Sequence, residues 1–381
     1  MINRQTYIQQ ISQAFEVHPV VVLLGPRQSG KTTLAKEYLK SYNGSKTLYF
    51  DLEDMRDLQA LQTPLIAFGQ SSCLIIIDEI QRLPDLFPTL RVLVDQHDIS
   101  YKFLILGSAS RDLIRQSSET LAGRLQYIEI NPFDIQEVKG NAALHLRGGF
   151  PKAFLASTNA QAFQWLESYI RTFLERDIPA LGFSSVPAQT LRRFWTMLAH
   201  YHGNVLNNSD LGRSLGVSDH TIRYYLDILC GTFMVRQLLP WFENVSKRQV
   251  KRPKVYLRDS GIFHQLLSID SMEALLRHPK AGASWEGYAM EQIIRAYQMP
   301  AENCYFWGVH GQAELDLFLF HKGKRLGFEF KFTDAPALNK SMKQAIETLQ
   351  LDLLTVIYPG PKNYRLAENI HVKPLYPLWM S

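Results

Sequence analysis

Three clusters of residues in this chain have the types and spacing for chemistry. The first is Gly25-Pro26-Arg27-Gln28-Ser29-Gly30-Lys31-Thr32, followed by Thr33. It fits G-x-x-x-x-G-K-[ST], in which two glycines let the backbone curl and turn its amides toward phosphates. Lys31 would add positive charge at the outer phosphates, and the Thr32 hydroxyl suits Mg²⁺. The second is Asp78-Glu79, which closes the apolar run Cys73-Leu-Ile-Ile-Ile. Asp78 would anchor Mg²⁺ through water, and Glu79 would polarise the attacking water as general base. The third brings Asp316 near Glu329-x-Lys331, with Glu286 on an earlier stretch. Asp316 and Glu329 could share a divalent metal, Lys331 could orient a hydroxide, and Glu286 could complete the carboxylate set.

These residues need elements to hold them. An apolar strand precedes the glycine loop and a helix follows it, so the helix N-terminus faces the phosphates. The run ending at Asp78 is β-branched throughout, which fits a central parallel strand covered on both faces. Ligands in such sheets sit beyond the carboxyl ends of strands, where Asp78 and Glu79 lie. Further strands are expected over 46–50, ending at Asp51, and over 101–106, ending in Gly107-Ser108-Ala109-Ser110. Thr120-Leu-Ala-Gly-Arg124 precedes another, 125–130. Toward the C-terminus, 313–320 alternates and sets Glu314 and Asp316 on one face. The stretch 326–332 sets Glu329 and Lys331 on one face and Phe328, Phe330 and Phe332 on the other. Glu286 and Glu291 share a helix expected over 285–297. A helix over 338–349 and an apolar strand over 353–358 follow.

The middle reads differently. Asn208 to Leu226 has the pattern of a helix-turn-helix, with Gly216 in the turn and Ser218 as N-cap of the second helix. That helix offers His220, Thr221, Arg223 and Tyr224 as groove contacts. A strand pair, 233–242 and 255–257, brackets Lys247, Arg248, Lys251, Arg252 and Lys254. Five cations on a short loop would neutralise phosphates without reading sequence. Two plainer roles stand beside this: packing between domains, or simple solvation of a hairpin tip.

Of the 381 residues, 46% are hydrophobic and 20% charged, an ordinary soluble balance. The net charge of +5 is mild, so it argues for nucleic acid only through clustering. Three scattered cysteines, Cys73, Cys230 and Cys304, form neither a zinc spacing nor a disulfide framework, which fits a reducing cytoplasm. The N-terminus lacks a signal peptide's apolar core. No apolar run reaches the roughly 18 residues that span a bilayer, so no membrane partner is expected.

The phrases GPRQSGKTTLA, YFDLED, LIIIDEIQRLPDLF, ILGSAS, LAGR, YIRTFLERDIPAL, LAHYHGNVLNNSDLGRSLGVS, ELDLFLF and FEFKF carry a resemblance over nearly the whole chain. The chain resembles a widespread prokaryotic family that joins an AAA+ ATPase domain to a C-terminal domain of unknown function. The resemblance implies ATP and Mg²⁺ as cofactors. It implies that Ser108 is a polar sensor near the γ-phosphate, with Ser110 competing for the role. It implies that Arg124 reaches into a neighbouring subunit's site, with Arg111 and Arg115 behind it, in a homo-oligomeric ring whose default is a hexamer. One departure is mild: Gly-Ser-Ala-Ser stands where the family usually has Gly-Ser-Ser. The C-terminal strands resemble the PD-(D/E)xK nuclease core, in an active form or as an inactive docking module. The expected fold is therefore α/β, in four parts. An AAA+ P-loop parallel sheet spans 1–140 and a helical lid 141–190. A winged helix-turn-helix spans 191–255 and a restriction-endonuclease-like α/β domain 256–381. The expected function is ATP hydrolysis coupled to DNA, and the alternative is a nucleotide-controlled switch that binds a protein partner.

Overall fold

The computed structural model describes residues 2–42, 46–96, 98–108, 119–243 and 249–377. Ser110, Arg111, Arg115, Lys247 and Arg248 lie outside them. The chain divides into two compact units, Met1–Pro132 with Gly231–Phe233, and Phe133–Cys230 with Met234–Ser381.

The first unit is built on five parallel strands: β1 (Val20–Gly25), β2 (Thr47–Asp51), β3 (Cys73–Asp78), β4 (Tyr101–Ser108) and β5 (Leu125–Glu129). Their order is β2-β3-β4-β1-β5. Every residue of β1 and β3 is buried, which is why both strands lack polar alternation. Helices α1 (Gln5–Val17) and α2 (Lys31–Ser41) cover one face, packing Ile11, Phe15, Leu34 and Tyr38 against Val21, Leu23 and Leu104. The other face buries Val22, Ile75, Ile77 and Phe103 under Phe68, Phe87 and Leu90. Strand register then aligns four carboxyl ends. Gly25 stands opposite Ser108, and Asp78 opposite Asp51.

The second unit has a helical part and a sheet. Helices α3 (Asn159–Thr172), α4 (Ala188–Tyr201), α5 (Asn208–Leu215), α6 (Asp219–Gly231) and α7 (Ser260–Leu266) contribute to one core. Phe163, Ile170, Trp195, Leu211, Ile222 and Phe263 all belong to it. Between α5 and α6, Gly216 takes φ 75°, and the Thr221 N–H donates to Ser218 Oγ at 3.1 Å. This is the turn and cap chemistry that the spacing asks for.

The sheet contains β6 (Val235–Pro240), β7 (Lys254–Leu257), β8 (Cys304–Val309), β9 (Ala313–His321), β10 (Lys324–Phe330), β11 (Leu353–Tyr358), β12 (Tyr364–Ala367) and β13 (Ile370–Pro374). Their order is β12-β13-β11-β10-β9-β8-β6-β7, with parallel and antiparallel pairs. β6 and β7 therefore form one end of the same sheet that holds β9 and β10. Helix α8 (Ala281–Ala296) starts four residues before the expected Trp285. Most of its residues are buried, Ser284, Glu291 and Gln292 included, which blurs the 3.6-residue pattern. Helix α9 (Lys340–Leu349) buries Met342, Ala345 and Leu349 at regular spacing. Among the described residues, no helix is long and apolar enough to cross a membrane.

Candidate functional site

At the carboxyl edge of the first sheet the glycine loop closes tightly. Gly30 takes φ 95°, a left-handed conformation that glycine enters freely. Gly25 lies so close to the chain after β5 that an added Cβ would sit 2.1 Å from Ile130 O. Gly25→Ala should destabilise the protein by about 1–3 kcal/mol through overpacking; a lowered urea midpoint checks this. Lys31 is buried, and its Nζ donates to Gly25 O and Pro26 O at 2.9 Å each. Burial pulls its pKa down to about 8, although Glu79 and Asp78 pull the other way. Ser29 is fully buried, and its Oγ has no hydrogen-bond partner among the described residues.

Opposite the loop, Thr32 Oγ1 donates to Asp78 Oδ2 at 2.7 Å. Asp78 is buried at the tip of β3, where its Oδ2 also accepts from the Tyr49 hydroxyl at 3.0 Å. Two hard oxygen donors side by side suit Mg²⁺, and a buried ammonium with an orphaned hydroxyl suits phosphate oxygens. Glu79 sits in a left-handed conformation, φ 56°, and its Oε2 accepts from Gln81 Nε2. Burial first, then the Asp78 charge, raises its pKa.

Three of these partners carry no motif. Arg4 is buried and ties the loop to the sheet, donating to Ser29 O at 3.1 Å and to Asn131 O at 2.8 Å. Tyr49 and Gln81 act on the two acids, as described. Only Tyr49 left a sequence signal, as a polar-tipped aromatic in the strand beside β3.

Ser108 is buried at the end of β4 next to Gly25, so it reaches the phosphate-loop edge. Arg124 does not. It precedes β5, whose first residue pairs with Val20 at the start of β1. That puts it one strand length, roughly 16 Å, from the loop of its own chain. Asp95 holds its guanidinium there, at 2.6 Å and 2.9 Å.

In the second unit the C-terminal residues converge. Asp316 on β9 accepts the Phe330 N–H of β10 at 2.9 Å. Glu329 pairs with Lys331 at 2.5 Å. Glu286 on α8 accepts from the Tyr256 hydroxyl at 2.6 Å. Burial first, then Asp316, raises the pKa of both Glu286 and Glu329. Burial lowers that of Lys331, but Glu329 and Asp316 outweigh it and hold it at about 12. As the side chains stand, no three His, Cys, Asp or Glu among the described residues form a metal-holding group. The cations in the cluster are lysines.

One of those lysines corrects the wing reading. Lys254 is not a solvated hairpin cation. It lies in β7 with a side chain 4% exposed, bonded to Glu314 and 3.8 Å from Glu286. Burial lowers its pKa, but Glu286, Asp316 and Glu314 together push it up. The sequence signal was a lysine opening the buried run Val255-Tyr256-Leu257. Glu291, which shares α8 with Glu286, lies outside the cluster. One and a half turns beyond Glu286, it is buried among Arg236, Arg258 and Arg295. On α6, His220, Arg223 and Tyr224 are exposed and Thr221 is half-buried. Lys251 and Arg252 are exposed as well.

Comparisons divide the chain in a similar way. Residues 17–139 match a family model described as an AAA domain. Residues 140–273 match the domain of unknown function DUF8612, and 281–378 match the domain of unknown function DUF4143. Rv2008c of Mycobacterium tuberculosis and Mb2031c of Mycobacterium bovis are each 46% identical over 376 residues, 98% of this chain and 84% of theirs. A Haemophilus influenzae protein is 25% identical over 61% of this chain and 66% of its own. Among solved structures, the Walker-type ATPase PABY2304 of Pyrococcus abyssi aligns with TM-score 0.49 and 15% identity, over 70% of this chain and 96% of that one.

Proposed function

We propose that this chain, which belongs to the same family as Rv2008c and Mb2031c and carries an AAA domain, binds and hydrolyses ATP and couples that cycle to DNA. The observation that carries the nucleotide half is the Thr32–Asp78 hydrogen bond facing the buried Lys31. The loop N–H groups from Arg27 to Thr33 cradle the phosphates, and Lys31 neutralises the outer ones. Thr32 and Asp78 would hold Mg²⁺, which supplies charge neutralisation between the outer phosphates when bound. Glu79 takes a proton from the attacking water once Gln81 releases its carboxylate. Ser108 stands at the same edge as a sensor. Arg124, held by Asp95 in its own chain, would serve a neighbouring copy in a ring.

The DNA half is supported by the meeting of Glu286, Asp316, Glu329 and Lys331. Asp316 and Glu329 offer hard oxygens to a divalent ion, whose chemistry would be activation of water. His220, Thr221, Arg223, Lys247, Arg248, Lys251 and Arg252 are the proposed phosphate and groove contacts. The test measures ATP turnover and strand cleavage with duplex, branched and single-stranded DNA in one Mg²⁺ buffer. DNA should stimulate turnover, and Asp316→Asn with Glu329→Gln should lose cleavage. Turnover indifferent to all three DNAs removes the coupling. Cleavage that survives the double substitution removes the assigned site.

A further inference from the structure

The short run from Gln249 to Lys254 leads from the surface of the second unit into the acidic cluster. Gln249 bridges to Val309, and the Val250 N–H donates to Gly308 O at 2.9 Å. This fastens the run along β8. At its inner end Lys254 bridges to Val205 and enters β7. Lys251 and Arg252 stay exposed on the way, and so does His310, just after β8. With Val205, Gln249 and Val250 they line an open cavity of about 510 Å³. A second cavity of about 410 Å³ shares Arg252 and extends to Arg223 of α6.

The inner end has an unusual partner. Lys254 is almost wholly buried, yet Glu314, the carboxylate bonded to it beside the more deeply set Glu286 and Asp316, has a side chain 51% exposed. An exposed carboxylate can swing into water with little loss of packing. It therefore occupies a place that another oxyanion could take.

We propose that a single nucleic-acid strand follows this line, its phosphates resting on Lys251, Arg252 and His310 and ending against Lys254 in the place of Glu314. The inference rests on reading the acidic cluster as a nucleic-acid site. It adds the strand's path, its innermost contact and its single-stranded form. A cationic groove that tracks one backbone is how sequence-tolerant single-strand binding works. The valines give the bases an apolar floor. A duplex cannot make the innermost contact, because two paired backbones cannot bring one phosphate down to a side chain only 4% exposed.

The test is fluorescence anisotropy of the full chain with labelled oligo-dT, oligo-U and a blunt duplex, across a salt series. EDTA is present, so neither cleavage nor nucleotide turnover intervenes. The single strands should bind more tightly than the duplex. Lys251→Glu with Arg252→Glu should weaken single-strand binding at least about tenfold and reduce the log–log salt slope by about 1.4, at about 0.7 per lost phosphate contact. Glu314→Gln should tighten it several-fold, and Lys254→Met should abolish that gain. The Lys251, Arg252 and Glu314 changes are at exposed positions, so the test stands even if Lys254→Met fails to fold. Unchanged affinity and slope in the double reversal overturn the path. So does equal binding of duplex, or displacement of the strand by a poly-glutamate peptide as effectively as by unlabelled oligonucleotide. A wild-type chain that binds no nucleic acid overturns the parent reading of the acidic cluster instead.

Discussion

Lys31→Ala abolishes magnesium-dependent ATP binding in a chain that remains folded; this is the largest functional effect expected. The Lys31 ammonium donates to two carbonyls of its own loop, Gly25 O and Pro26 O. Those bonds preorganise it at the mouth of the loop, and burial leaves it poorly solvated. A triphosphate offers it full counter-charge at a buried position, where such a contact is strong. Loss of one preorganised donor of this kind costs about 10²–10³ in turnover, roughly 2.7–4 kcal/mol. Binding should fall with it, below detection by calorimetry at micromolar protein. The pH dependence has a definite sign. The ammonium is charged at pH 7 and loses its proton above about 8 in the free protein, so affinity should fall as pH rises through that region. Lys31→Ala that still binds Mg²⁺–ATP at wild-type affinity would falsify the nucleotide site.

The largest effect on stability should come from Glu291. It is 1% exposed on α8. Arg236 bonds both of its oxygens, and the Nε atoms of Arg258 and Arg295 lie 3.5 Å and 3.8 Å from Oε2. Arg236 comes from β6, Arg258 follows β7, and Arg295 shares the helix. One carboxylate thus joins α8 to the β6–β7 end of the sheet. Glu291→Gln keeps the shape and removes the charge that Arg236, Arg258 and Arg295 share. Removing one partner from a buried ion pair costs about 3–5 kcal/mol. Burial raises the pKa of Glu291, but Arg236, Arg258 and Arg295 outweigh it and hold it at about 2, against an ordinary 4.5. The folded state therefore binds this proton more weakly than the unfolded state. Its stabilisation is complete above about pH 4.5 and disappears as pH falls toward 2. Wild-type and Glu291→Gln unfolding midpoints should differ widely at pH 7 and converge under acid. A constant gap from pH 7 to pH 2 contradicts this account.

Much of the first unit was legible because its chemistry is local. Gly25 to Thr32 is one continuous segment, and its spacing alone sets which amides can face a phosphate. The run from Cys73 to Asp78 is apolar because a central parallel strand has two covered faces. The helix-turn-helix was legible for the same reason, since Gly216 and Ser218 act within a few residues of themselves. Arg4, Tyr49 and Gln81 were not legible as site residues. Arg4 and Tyr49 act on partners far away in sequence, and Gln81, although only two residues from Glu79, belongs to no motif. Arg4 meets Ser29 and Asn131 only after α1 has packed on the sheet.

In the second unit, alternation marked Asp316 and Glu329 as residues of two adjacent strands, because a period of two is a property of any strand, whereas Lys331 lies just past the end of β10 at Phe330. Alternation could not say which outside residues would join them. Lys254 looked like one more cation in a basic loop, and Glu291 looked like a companion of Glu286. Charge count has no depth: burial decides whether a lysine neutralises a distant phosphate or a carboxylate beneath it. By itself, then, the order of residues determined the phosphate loop, the acidic strand tip and the Asp and Glu-x-Lys strands, all built from neighbours along the chain. Tertiary structure alone decided that β7 closes the same sheet and delivers Lys254 and Tyr256 to those acids. It also gave Glu291 to three arginines, because strand pairing and helix packing join residues that are far apart in sequence.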